Sequence, residues 1–444
     1  MANDCWDVVV IGAGVAGLTA GSKLAEAGRS ILMLEARDRI GGRVWTRHEP
    51  ELSVPIELGA EFIHGRVTET FELLQESGKA ALHTAGAHWT VRNGKLEQRT
   101  ENLFEQIQTA LDRSGVLREP DVPFETFLNR SERYGLSQDA RALARAFVEG
   151  FDAADPARVS AHSIAEEWRS GGMVDAPQFR PLGGYSSVLA ALAKSLERAH
   201  IHLQLQTIVS EVRWRRGAVE IEGRFLDQPF HAKASKAIIT VPLGVLQLPP
   251  DTPAALRFIP ALEDKKAALD GLASGPVLKV LLRFRAPFWE ELDDGRYRDA
   301  SFFHSPETTF PTFWTAMPLR APLLNAWIGG PKAACLSEAT DTQIIRQALT
   351  SLEAIFHGSL RGKLELEAAY VHNWQRDPFA RGAYSYATVG HNEARRSLAA
   401  PLQDTLFFAG EATDTEGEAA TVTGALQSGT RAAREVSGRS QTRS

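Results

Sequence analysis

Short apolar runs, bounded by glycine and polar residues, lie near both ends of the chain. Residues 7–11 and 31–34 are two such runs, and the stretch 18–27 between them has the length of a helix that ends at Gly28. Further apolar runs predict buried strands at 237–241, 277–284, 323–328 and 406–410, with more strands across 201–221. Helices are predicted at 186–199, about 343–356 and 424–436. The pattern therefore predicts an α/β protein that opens with a β-α-β unit.

The stretch from 68 to 169 has a different character. It is rich in charged residues and alanine, its apolar positions recur with helical periodicity, and Pro120, Pro123 and Pro156 interrupt it. We expect it to form helices that cover a substrate cavity.

The β-α-β unit carries a glycine-rich turn. Gly12, Gly14 and Gly17 lie at the junction between the first strand and its helix, and Glu35 ends the second strand. In such a unit the glycines let the backbone turn sharply and approach a pyrophosphate, which lies against the positive N-terminus of the helix. An acidic residue about 20 positions on can accept hydrogen bonds from a ribose. An ordinary junction of strand and helix is the alternative, but strand, helix and acidic residue together predict a dinucleotide site.

Length and composition narrow the class of protein. At 444 residues the chain is long for a single core and predicts two domains. A formal charge of −6 argues against nucleic acid or an anionic membrane as a partner and suits a cationic substrate. The chain has two cysteines, no recognisable signal peptide and no apolar stretch of membrane-spanning length. We therefore expect a cytoplasmic protein without disulfides, and we predict no metal site.

A second turn of glycine and arginine follows the β-α-β unit. Gly41 and Gly42 allow another close approach of the backbone, and Arg37 and Arg43 offer planar donor pairs to phosphate oxygens. A nicotinamide coenzyme needs no such segment. The alternative is a solvated basic turn.

Further segments complete a pattern that runs along nearly the whole chain. They are 57–60 with 63–65, 241–246, Lys279 before 288–289, 374 through 381–386, and 408–413. In this order, and together with 12–43, they resemble the flavin-containing amine oxidase family, and most closely its polyamine oxidases. The resemblance implies FAD as the cofactor. It also implies that FAD is noncovalent, because Ala383 stands before Tyr384 where monoamine oxidases have a cysteine.

The resemblance further implies how the domains are assembled. A Rossmann-like FAD-binding domain is expected from residues 1–75, 200–270 and 396–444. A substrate-binding domain of mixed sheet and helices is expected from 76–199 and 271–395. Because FAD-like segments lie at both ends of the chain, the substrate domain must be inserted between pieces of the cofactor domain.

The residues expected to contact FAD lie mainly in the matched segments. Gly59 and Ala60 would let the backbone pass close to the isoalloxazine ring, and the helix after Thr421 would direct its N-terminal dipole at the flavin. The full set is Gly12, Gly14, Ala16, Gly17, Glu35, Ala36, Arg37, Gly42, Arg43, Gly59, Ala60, Glu61, Phe62, Val209, Trp374, Gly410, Glu411, Thr421 and Val422.

Lys279 is the sharpest prediction for a catalytic group. It interrupts an apolar strand, and lysine is almost never buried without a partner. The strand alone leaves open a position on a polar face, since Arg283 and Arg285 share its parity. The resemblance implies a position near flavin N5, where a positive charge can position water for imine hydrolysis or assist the reaction with oxygen.

Four more residues are candidates for the active site. By resemblance, His64 lies in the cleft and hydrogen-bonds an amine of the substrate, and Trp374 and Tyr384 form aromatic walls beside the flavin. The alternatives are a histidine that caps the turn before Gly65 and aromatic side chains that pack in the core. Glu61 either attracts a cation or is a surface or ribityl-side carboxylate.

The resemblance implies oxidation of a small-molecule amine, such as spermine or spermidine, by hydride transfer to flavin N5. The imine is hydrolysed to an aldehyde and an amine, and O2 reoxidises the flavin to give hydrogen peroxide. Open alternatives are a monoamine, an amino acid or an alkaloid as substrate, an acceptor other than oxygen, and a flavoprotein that binds FAD for structure or sensing. The lack of a long helical insertion in the sequence argues against a histone demethylase. We expect a monomer or a homodimer.

Overall fold

The computed structural model describes residues 5–98, 103–169, 177–197, 201–252, 254–357, 360 and 364–438. Its strands are β1 (Trp6–Ile11), β2 (Ile31–Leu34), β3 (Thr46–Arg47), β4 (Ile56–Glu57), β5 (Ile63–His64), β6 (Ala81–His83), β7 (Ala87–Arg92), β8 (Lys95–Gln98), β9 (Gln178–Pro181), β10 (Ile201–Gln204), β11 (Thr207–Arg215), β12 (Ala218–Phe225), β13 (Gln228–Ile239), β14 (Arg257–Ile259), β15 (Leu272–Gly275), β16 (Val277–Phe284), β17 (Ala300–His304), β18 (Thr312–Thr315), β19 (Leu323–Gly329), β20 (Leu366–Asn373), β21 (Tyr384–Ala387) and β22 (Leu406–Phe408). Its helices are α1 (Val15–Glu26), α2 (Thr68–Glu76), α3 (Leu103–Ser114), α4 (Phe124–Arg130), α5 (Gln138–Gly150), α6 (Ala161–Arg169), α7 (Ser186–Glu197), α8 (Leu243–Leu246), α9 (Lys266–Asp270), α10 (Gly330–Ala334), α11 (Asp341–Ile355), α12 (Ala394–Ala399) and α13 (Val422–Val436).

The first large sheet has eight strands, in the order β10-β2-β1-β13-β12-β11-β14 with β22 against β13. Strands β10, β2, β1, β13 and β22 run parallel to one another. Strand β12 is antiparallel to both β13 and β11, and β14 is parallel to β11. Parallel strands are covered on both faces, and residues 8–11 of β1 are accordingly no more than 3% exposed. The predicted β-α-β opening of an α/β fold is confirmed.

This sheet joins distant parts of the chain. Strand β22 pairs with β13 beside β1, and helix α13 packs against α1. Helix α1 ends at the predicted glycine, because Gly28 has a φ of 77°, a left-handed conformation that favours glycine. Segments from both ends of the chain therefore meet beside the glycine-rich turn.

Helix α7 also packs against α1. Its Val188 and Leu192 are buried in the same core as Leu18 and Leu24 of α1. The predicted domain boundaries place this helix in the substrate part, because an amphipathic pattern does not reveal which neighbour covers its apolar face. Its predicted end at residue 199 lies outside the described residues, and the domain boundaries remain a prediction.

The second large sheet has seven strands, in the order β20-β16-β19-β18-β17-β7-β8. Its pairings are antiparallel except for that of β17 with β7. Leu278 and Val280 of β16 lie in the core that α11 covers, so Lys279 between them faces the opposite side of the sheet. A capping box formed by Thr340 and Gln343 starts α11.

Residues 81–98 are strands, and the prediction of helices across 68–169 is wrong there. They form β6, β7 and β8. Asn93 and Gly94 join β7 to β8 and both have positive φ, as a two-residue hairpin turn requires. Trp89 and Val91 alternate with more exposed residues and pack against the second sheet's core. The informative signal was this period of two together with the Asn-Gly turn.

The described residues from 103 to 169 form a helical layer. Helices α3, α4, α5 and α6 pack around one apolar core. Trp168 of α6 is fully buried in it, and its ring contacts those of Phe104, Phe124 and Phe147 edge-on. Edge-on contacts are favourable for aromatic rings, and the indole therefore fixes how these helices pack.

We expect Trp168→Ala to lower the free energy of unfolding by about 3–5 kcal/mol, the usual cost of removing a buried indole. Leu182→Ala is the control, because the Leu182 side chain is 41% exposed, and its cost should be below about 0.5 kcal/mol. Urea unfolding followed by circular dichroism measures both. A cost for Trp168→Ala no larger than the control's would contradict the packing described.

Candidate active site

A cavity of about 870 Å³ is lined by residues of both large sheets and of the helical layer. One part of the cavity, which we call the cofactor arm, is lined by Gly12, Glu35, Arg43, Val209, Glu411 and Thr421. Another part, which we call the substrate arm, is lined by His64, Phe151, Asp152, Glu167, Phe302 and Trp327. The four residues predicted to be catalytic line the same cavity; they are His64, Lys279, Trp374 and Tyr384.

All but one of the predicted cofactor residues line this cavity. The exception is Gly17 in the first turn of α1, where a Cβ would collide with the carbonyl oxygen of Gly12. Gly17 thus lets the helix pack closely against the turn rather than facing the cavity itself. The cofactor-binding roles of the other residues remain predictions.

The carboxylate of Glu35 is held by two backbone amides at the cofactor arm. Its Oε2 accepts a hydrogen bond from the amide of Ala13 at 2.8 Å, and its Oε1 accepts one from the amide of Arg37 at 3.0 Å. Burial raises the pKa of this carboxyl above its ordinary value. Each carboxylate oxygen has a further lone pair, so Glu35 still has the capacity to accept hydroxyl donors of a ribose.

The two predicted phosphate-binding arginines are held in ion pairs. Arg37 Nη2 lies 2.7 Å from Asp377 Oδ1, and Arg43 Nη1 lies 2.8 Å from Glu411 Oε1 and also donates to the carbonyl of Ala383 at 2.6 Å. Their side chains are mostly buried, so the alternative of a solvated basic turn is wrong. A guanidinium has five N–H donors, and both arginines retain some of them for a phosphate.

Helix α13 begins at the cofactor arm. Thr421 caps it by accepting a hydrogen bond from the amide of Gly424 at 3.0 Å, and both Thr421 and Val422 line the cavity. The first turn of α13 contains no acidic side chain. No acidic side chain in that turn therefore neutralises the partial positive charge of the helix N-terminus. This charge faces the cavity and suits an electron-rich ligand.

The backbone at Gly59 is enclosed on two sides. A Cβ at this position would collide with the carbonyl oxygen of Arg43 and would lie 3.2 Å from Cζ2 of Trp374. The indole of Trp374 is 2% exposed and donates to the carbonyl of Leu58 at 3.1 Å. Trp374 thus packs in the core and also lines the cavity, and its role as an aromatic wall beside the flavin stays a prediction. This arrangement fits a dinucleotide with a planar ring system, since it combines two glycine turns, the N-termini of helices and the backbone at Gly59, which has no side chain.

Tyr384 forms part of an aromatic wall that the sequence analysis only half identified. Its ring stacks on that of Trp327, with centroids 6.1 Å apart and planes 26° apart. Trp327 lies on β19, and its indole donates to the carbonyl of Gly150 at 2.6 Å. Trp327 was missed because no motif surrounds it, although it lies opposite Lys279 in the register of β16 and β19.

Lys279 is buried against Glu61. Their side chains are 1% and 9% exposed, and Lys279 Nζ lies 2.7 Å from Glu61 Oε2. Lys279 also donates to the carbonyl of Gly59 at 3.2 Å. The other oxygen of Glu61 accepts from Arg180 Nε at 3.0 Å and from Trp314 Nε1 at 2.9 Å. These cations and donors hold the pKa of Glu61 below its ordinary value despite its burial.

Two alternatives for these residues are wrong. Glu61 is not a surface carboxylate, since it lies at the centre of this buried network. Lys279 does not share a solvated face with Arg285, whose side chain is 70% exposed and pairs with Glu365. Equal parity therefore did not give equal burial, because Lys279 lies inside β16 against the carbonyl of Gly59, whereas Arg285 lies just beyond the end of the strand.

His64 is a neutral histidine in the substrate arm. Burial lowers its pKa to about 4, so the ring carries no charge near neutral pH. It lies edge-on to Phe151 with centroids 5.1 Å apart, and its buried Nδ1 has no hydrogen-bond partner among the described residues. The ring therefore does not cap the turn before Gly65, and its nitrogen is available to a ligand.

The substrate arm also contains a pair of carboxyl groups that the sequence analysis missed. Asp152 follows α5 and Glu167 lies on α6, and their side chains share a hydrogen bond. Burial and mutual repulsion raise the pKa of Asp152 well above its ordinary value, and burial raises that of Glu167 to about 7. The signal was present at Glu167, an acidic residue one turn from the buried Ile164 and next to the buried Trp168.

Arg395 connects the two arms of the cavity. It donates to the hydroxyl of Ser385 at 2.5 Å and to the carbonyl of Ser385 at 2.7 Å. The same hydroxyl donates to Glu411 at 2.6 Å, and the charges of Glu411 and Glu167 both act on Arg395. The guanidinium is therefore balanced by acidic groups on either side.

Within the described part of the chain, no group of three or more His, Cys, Asp or Glu side chains is arranged to hold a metal ion. No helix among the described residues has the length and apolarity to cross a membrane.

Residues 15–437 match the family model described as flavin containing amine oxidoreductase, a family whose cofactor is FAD. The chain is 28% identical to human lysine-specific histone demethylase 2 over 458 residues, which covers 97% of this chain and 53% of that protein. It is 28% identical to polyamine oxidase 3 of Oryza sativa subsp. japonica over 462 residues, which covers 96% of this chain and 88% of the oxidase. The chain thus spans about half the length of the demethylases that it matches.

Solved structures share the whole fold. A putrescine oxidase bound to putrescine superposes with a TM-score of 0.80 at 22% identity, covering 98% of this chain and 99% of the other. Cyclohexylamine oxidase from Brevibacterium oxydans superposes with a TM-score of 0.79 at 23% identity, over the same shares of both chains.

We expect Gly59→Ala to abolish retention of FAD, because the added Cβ would push the backbone away from Arg43 and Trp374. The ratio of flavin to protein absorbance after gel filtration measures the loss. Gly150→Ala is the matched control, since a Cβ there meets no atom within 4 Å, and it should retain FAD. Full flavin content in Gly59→Ala would contradict the close approach.

Proposed function

The chain belongs to the flavin-containing amine oxidoreductases, and from this premise we propose that it oxidises a small di- or polyamine such as spermine or spermidine. A carbon beside one nitrogen loses a hydride and that nitrogen loses a proton, which leaves an imine. Water hydrolyses the imine to an aldehyde and a shorter amine. Bound FAD supplies the acceptor for the hydride and the route by which both electrons reach O2, which leaves as hydrogen peroxide.

FAD is bound noncovalently. Cys5 and Cys335 are free and exposed, and neither lines the cavity. Ala383, which precedes Tyr384, offers no nucleophile for a covalent bond. Two unpaired cysteines also suit the reducing cytoplasm, which we propose as the protein's location.

The side chains around the cavity have different roles in the proposed reaction. Trp374 and Tyr384 confine the reacting amine between aromatic walls. His64 is neutral, so it does not repel an ammonium group, and its unpaired Nδ1 offers a hydrogen bond to a substrate nitrogen. Lys279 has three N–H donors, of which Glu61 and Gly59 take two, so one is left to hold the water that attacks the imine.

The paired carboxyl groups of Asp152 and Glu167 are the observation that supports a substrate with a second cation. Two carboxyl groups that share a hydrogen bond hold a proton between them when the site is empty. An ammonium group can replace that proton and donate to both oxygens, which releases the proton to solvent. A monoamine has no group to make this exchange.

Arg395 is a poor partner for the carboxylate of an amino-acid substrate. A substrate carboxylate needs an arginine with donors to spare. Arg395 lies in the cavity, but it donates to Ser385 and lies beside the carboxylates of Glu411 and Glu167. A substrate carboxylate there would face two acidic groups, and like charges at close range repel.

The relatives are consistent with this range of amines. Rice polyamine oxidase 3 matches along nearly its whole length, and the name of one structural neighbour gives putrescine, a diamine, as its ligand. The human and mouse histone demethylases also match nearly the whole of this chain, over about half of their own length.

Anaerobic mixing tests the proposed function. The purified protein is mixed without oxygen with spermine, spermidine, N-acetylated polyamines, putrescine, monoamines and amino acids, and flavin absorbance is followed. We expect rapid bleaching by polyamines. The rate should rise with pH, because the reactive amine is the neutral form and amines of this kind have a pKa of about 10.4.

Each other outcome has a definite meaning. Bleaching only by a monoamine or an amino acid would keep the chemistry and overturn the proposed substrate. Flavin that polyamines bleach but oxygen fails to reoxidise would show a dehydrogenase. No bleaching by any amine would contradict the proposed function as a whole.

We expect Glu167→Gln and Asp152→Asn each to raise KM for a polyamine by about 10- to 100-fold, the usual worth of a charged hydrogen bond. The KM of a monoamine should change little. In the unchanged protein, KM for a polyamine should fall as pH rises through about 7, because Glu167 gains its charge there. Steady-state kinetics across pH 6–8 would show this dependence disappear in Glu167→Gln.

Glu166→Gln is the matched control, because Glu166 is the neighbouring acidic residue on α6 and is exposed. It should leave KM unchanged for both classes of amine. Equal effects of Glu167→Gln on polyamines and monoamines would contradict recognition of a second ammonium group.

A further inference from the structure

We propose that Glu61 is a positioning residue for amine oxidation and that it acts through Lys279. Its carboxylate supplies the counter-charge of the buried ammonium group and fixes where that group lies in the cavity wall. The inference rests on the function proposed above. The interpretations of Glu61 from the sequence, attraction of a cation or a surface or ribityl-side carboxylate, include no role through Lys279.

The carboxylate of Glu61 is held in place by three side chains at the wall of the cavity. One oxygen lies 2.7 Å from Lys279 Nζ, and the other accepts from Arg180 Nε at 3.0 Å and Trp314 Nε1 at 2.9 Å. The carboxylate thus receives three donors, two of them cationic. Charge-assisted hydrogen bonds of this length are among the strong ones in proteins, so the carboxylate has little freedom to move.

Arg180 is itself anchored to the second sheet. It donates to the carbonyl oxygens of Thr315 and Met317, the first of these at 3.0 Å, and its guanidinium lies over the ring of Phe62, 4.5 Å from the centroid. Strand β9, which carries Arg180, pairs with β5 immediately after Glu61. Side chains of three strands, β9, β16 and β18, therefore hold Glu61. These are more donors than are needed to solvate a buried carboxylate.

Lys279 is oriented by the same arrangement. Glu61 and the carbonyl of Gly59 take two of its three N–H donors, and Nζ lies over the indole of Trp314, 5.3 Å from the centroid. The remaining N–H is left for the cavity that Lys279 lines. A lysine tethered at two points cannot swing away, so that donor keeps one direction through the reaction.

The charges near Lys279 make Glu61 its counter-ion. Glu57 is the other acidic group close by, but it is occupied by the amide of Tyr185 and the hydroxyl of Thr46. Burial also raises the pKa of Glu57 to about 7, which leaves it partly protonated near neutral pH. Without the carboxylate of Glu61, the charges of Lys279 and Arg180 would be buried together without a counter-ion.

A double-mutant cycle distinguishes a role through Lys279 from a purely structural role. Glu61→Gln keeps the shape and removes the charge, and Lys279→Met removes the ammonium group. Flavin reduction by the amine and reoxidation by O2 are measured separately for both single variants and the double variant. We expect Glu61→Gln to slow the same half-reaction that Lys279→Met slows, by at least about tenfold, and to have less than about a twofold effect in the Lys279→Met background.

The opposite results overturn the proposal. They are a Glu61→Gln defect in a half-reaction that Lys279→Met leaves unchanged, or defects of the two variants that multiply in the double variant. Glu51→Gln is the matched control, because Glu51 pairs with Arg283 of the same strand and is exposed. It should slow neither half-reaction.

The unfolding of the FAD-bound protein in the absence of amine gives an independent readout. The urea midpoint of the four proteins in the cycle should be non-additive, with Glu61→Gln costing much less stability once Lys279 is methionine. Additive shifts would mean that the ion pair does not form and would overturn the proposal. This measurement involves no amine, so it separates a failure of this inference from a failure of the proposed function.

Trp314→Phe keeps the test decisive if Glu61→Gln does not fold. This variant removes one donor to Glu61 and leaves every charge in place. We expect a smaller defect, about threefold, in the half-reaction that depends on Lys279, and none in the Lys279→Met background. An equal defect in both backgrounds would overturn the proposal.

Discussion

The burial of one lysine governs how the two halves of this protein meet. An ammonium group that is 1% exposed needs a counter-charge, and the nearest carboxylate that is free to serve is on the segment leading from β4 to β5. Bringing Glu61 to Lys279 lays Gly59 and Ala60 along the cavity. Gly59 then packs against the carbonyl of Arg43, which belongs to the glycine turns of the first sheet. The Lys279–Glu61 ion pair thus depends on the lack of a side chain at Gly59, and both help to set where the cofactor arm lies.

The chemistry proposed for the cavity follows from how charge is distributed along it. A lysine held by a carboxylate presents one remaining donor to the cavity. His64, in the substrate arm, stays neutral because it is buried. In the substrate arm, Asp152 and Glu167 keep a proton between them that a second ammonium group can replace. Different groups thus recognise the substrate and act on its reacting carbon. Either set of residues can therefore be substituted without changing the other function.

The sequence predicted those features that depend on local order, and it missed those that tertiary contacts create. The strand, glycine turn, helix and Glu35 are contiguous, and each residue type has a local reason, so that unit was predictable. Lys279 stood out because a charge interrupts an apolar strand. Asp152, Glu167 and Arg395 lie in segments without a motif, and only tertiary folding brings these distant segments together. The strands at 81–98 were assigned to helix because alternation over a few residues resembles one helical face, although the Asn-Gly turn marked a hairpin.

The products of turnover show whether the protein oxidises a polyamine with oxygen as the acceptor. The protein is incubated in air with a polyamine, the products are identified by mass spectrometry, and hydrogen peroxide is quantified. We predict one equivalent each of aldehyde, shorter amine and peroxide for every polyamine consumed. Consumption of the amine without peroxide, or peroxide without an aldehyde derived from the amine, would contradict it.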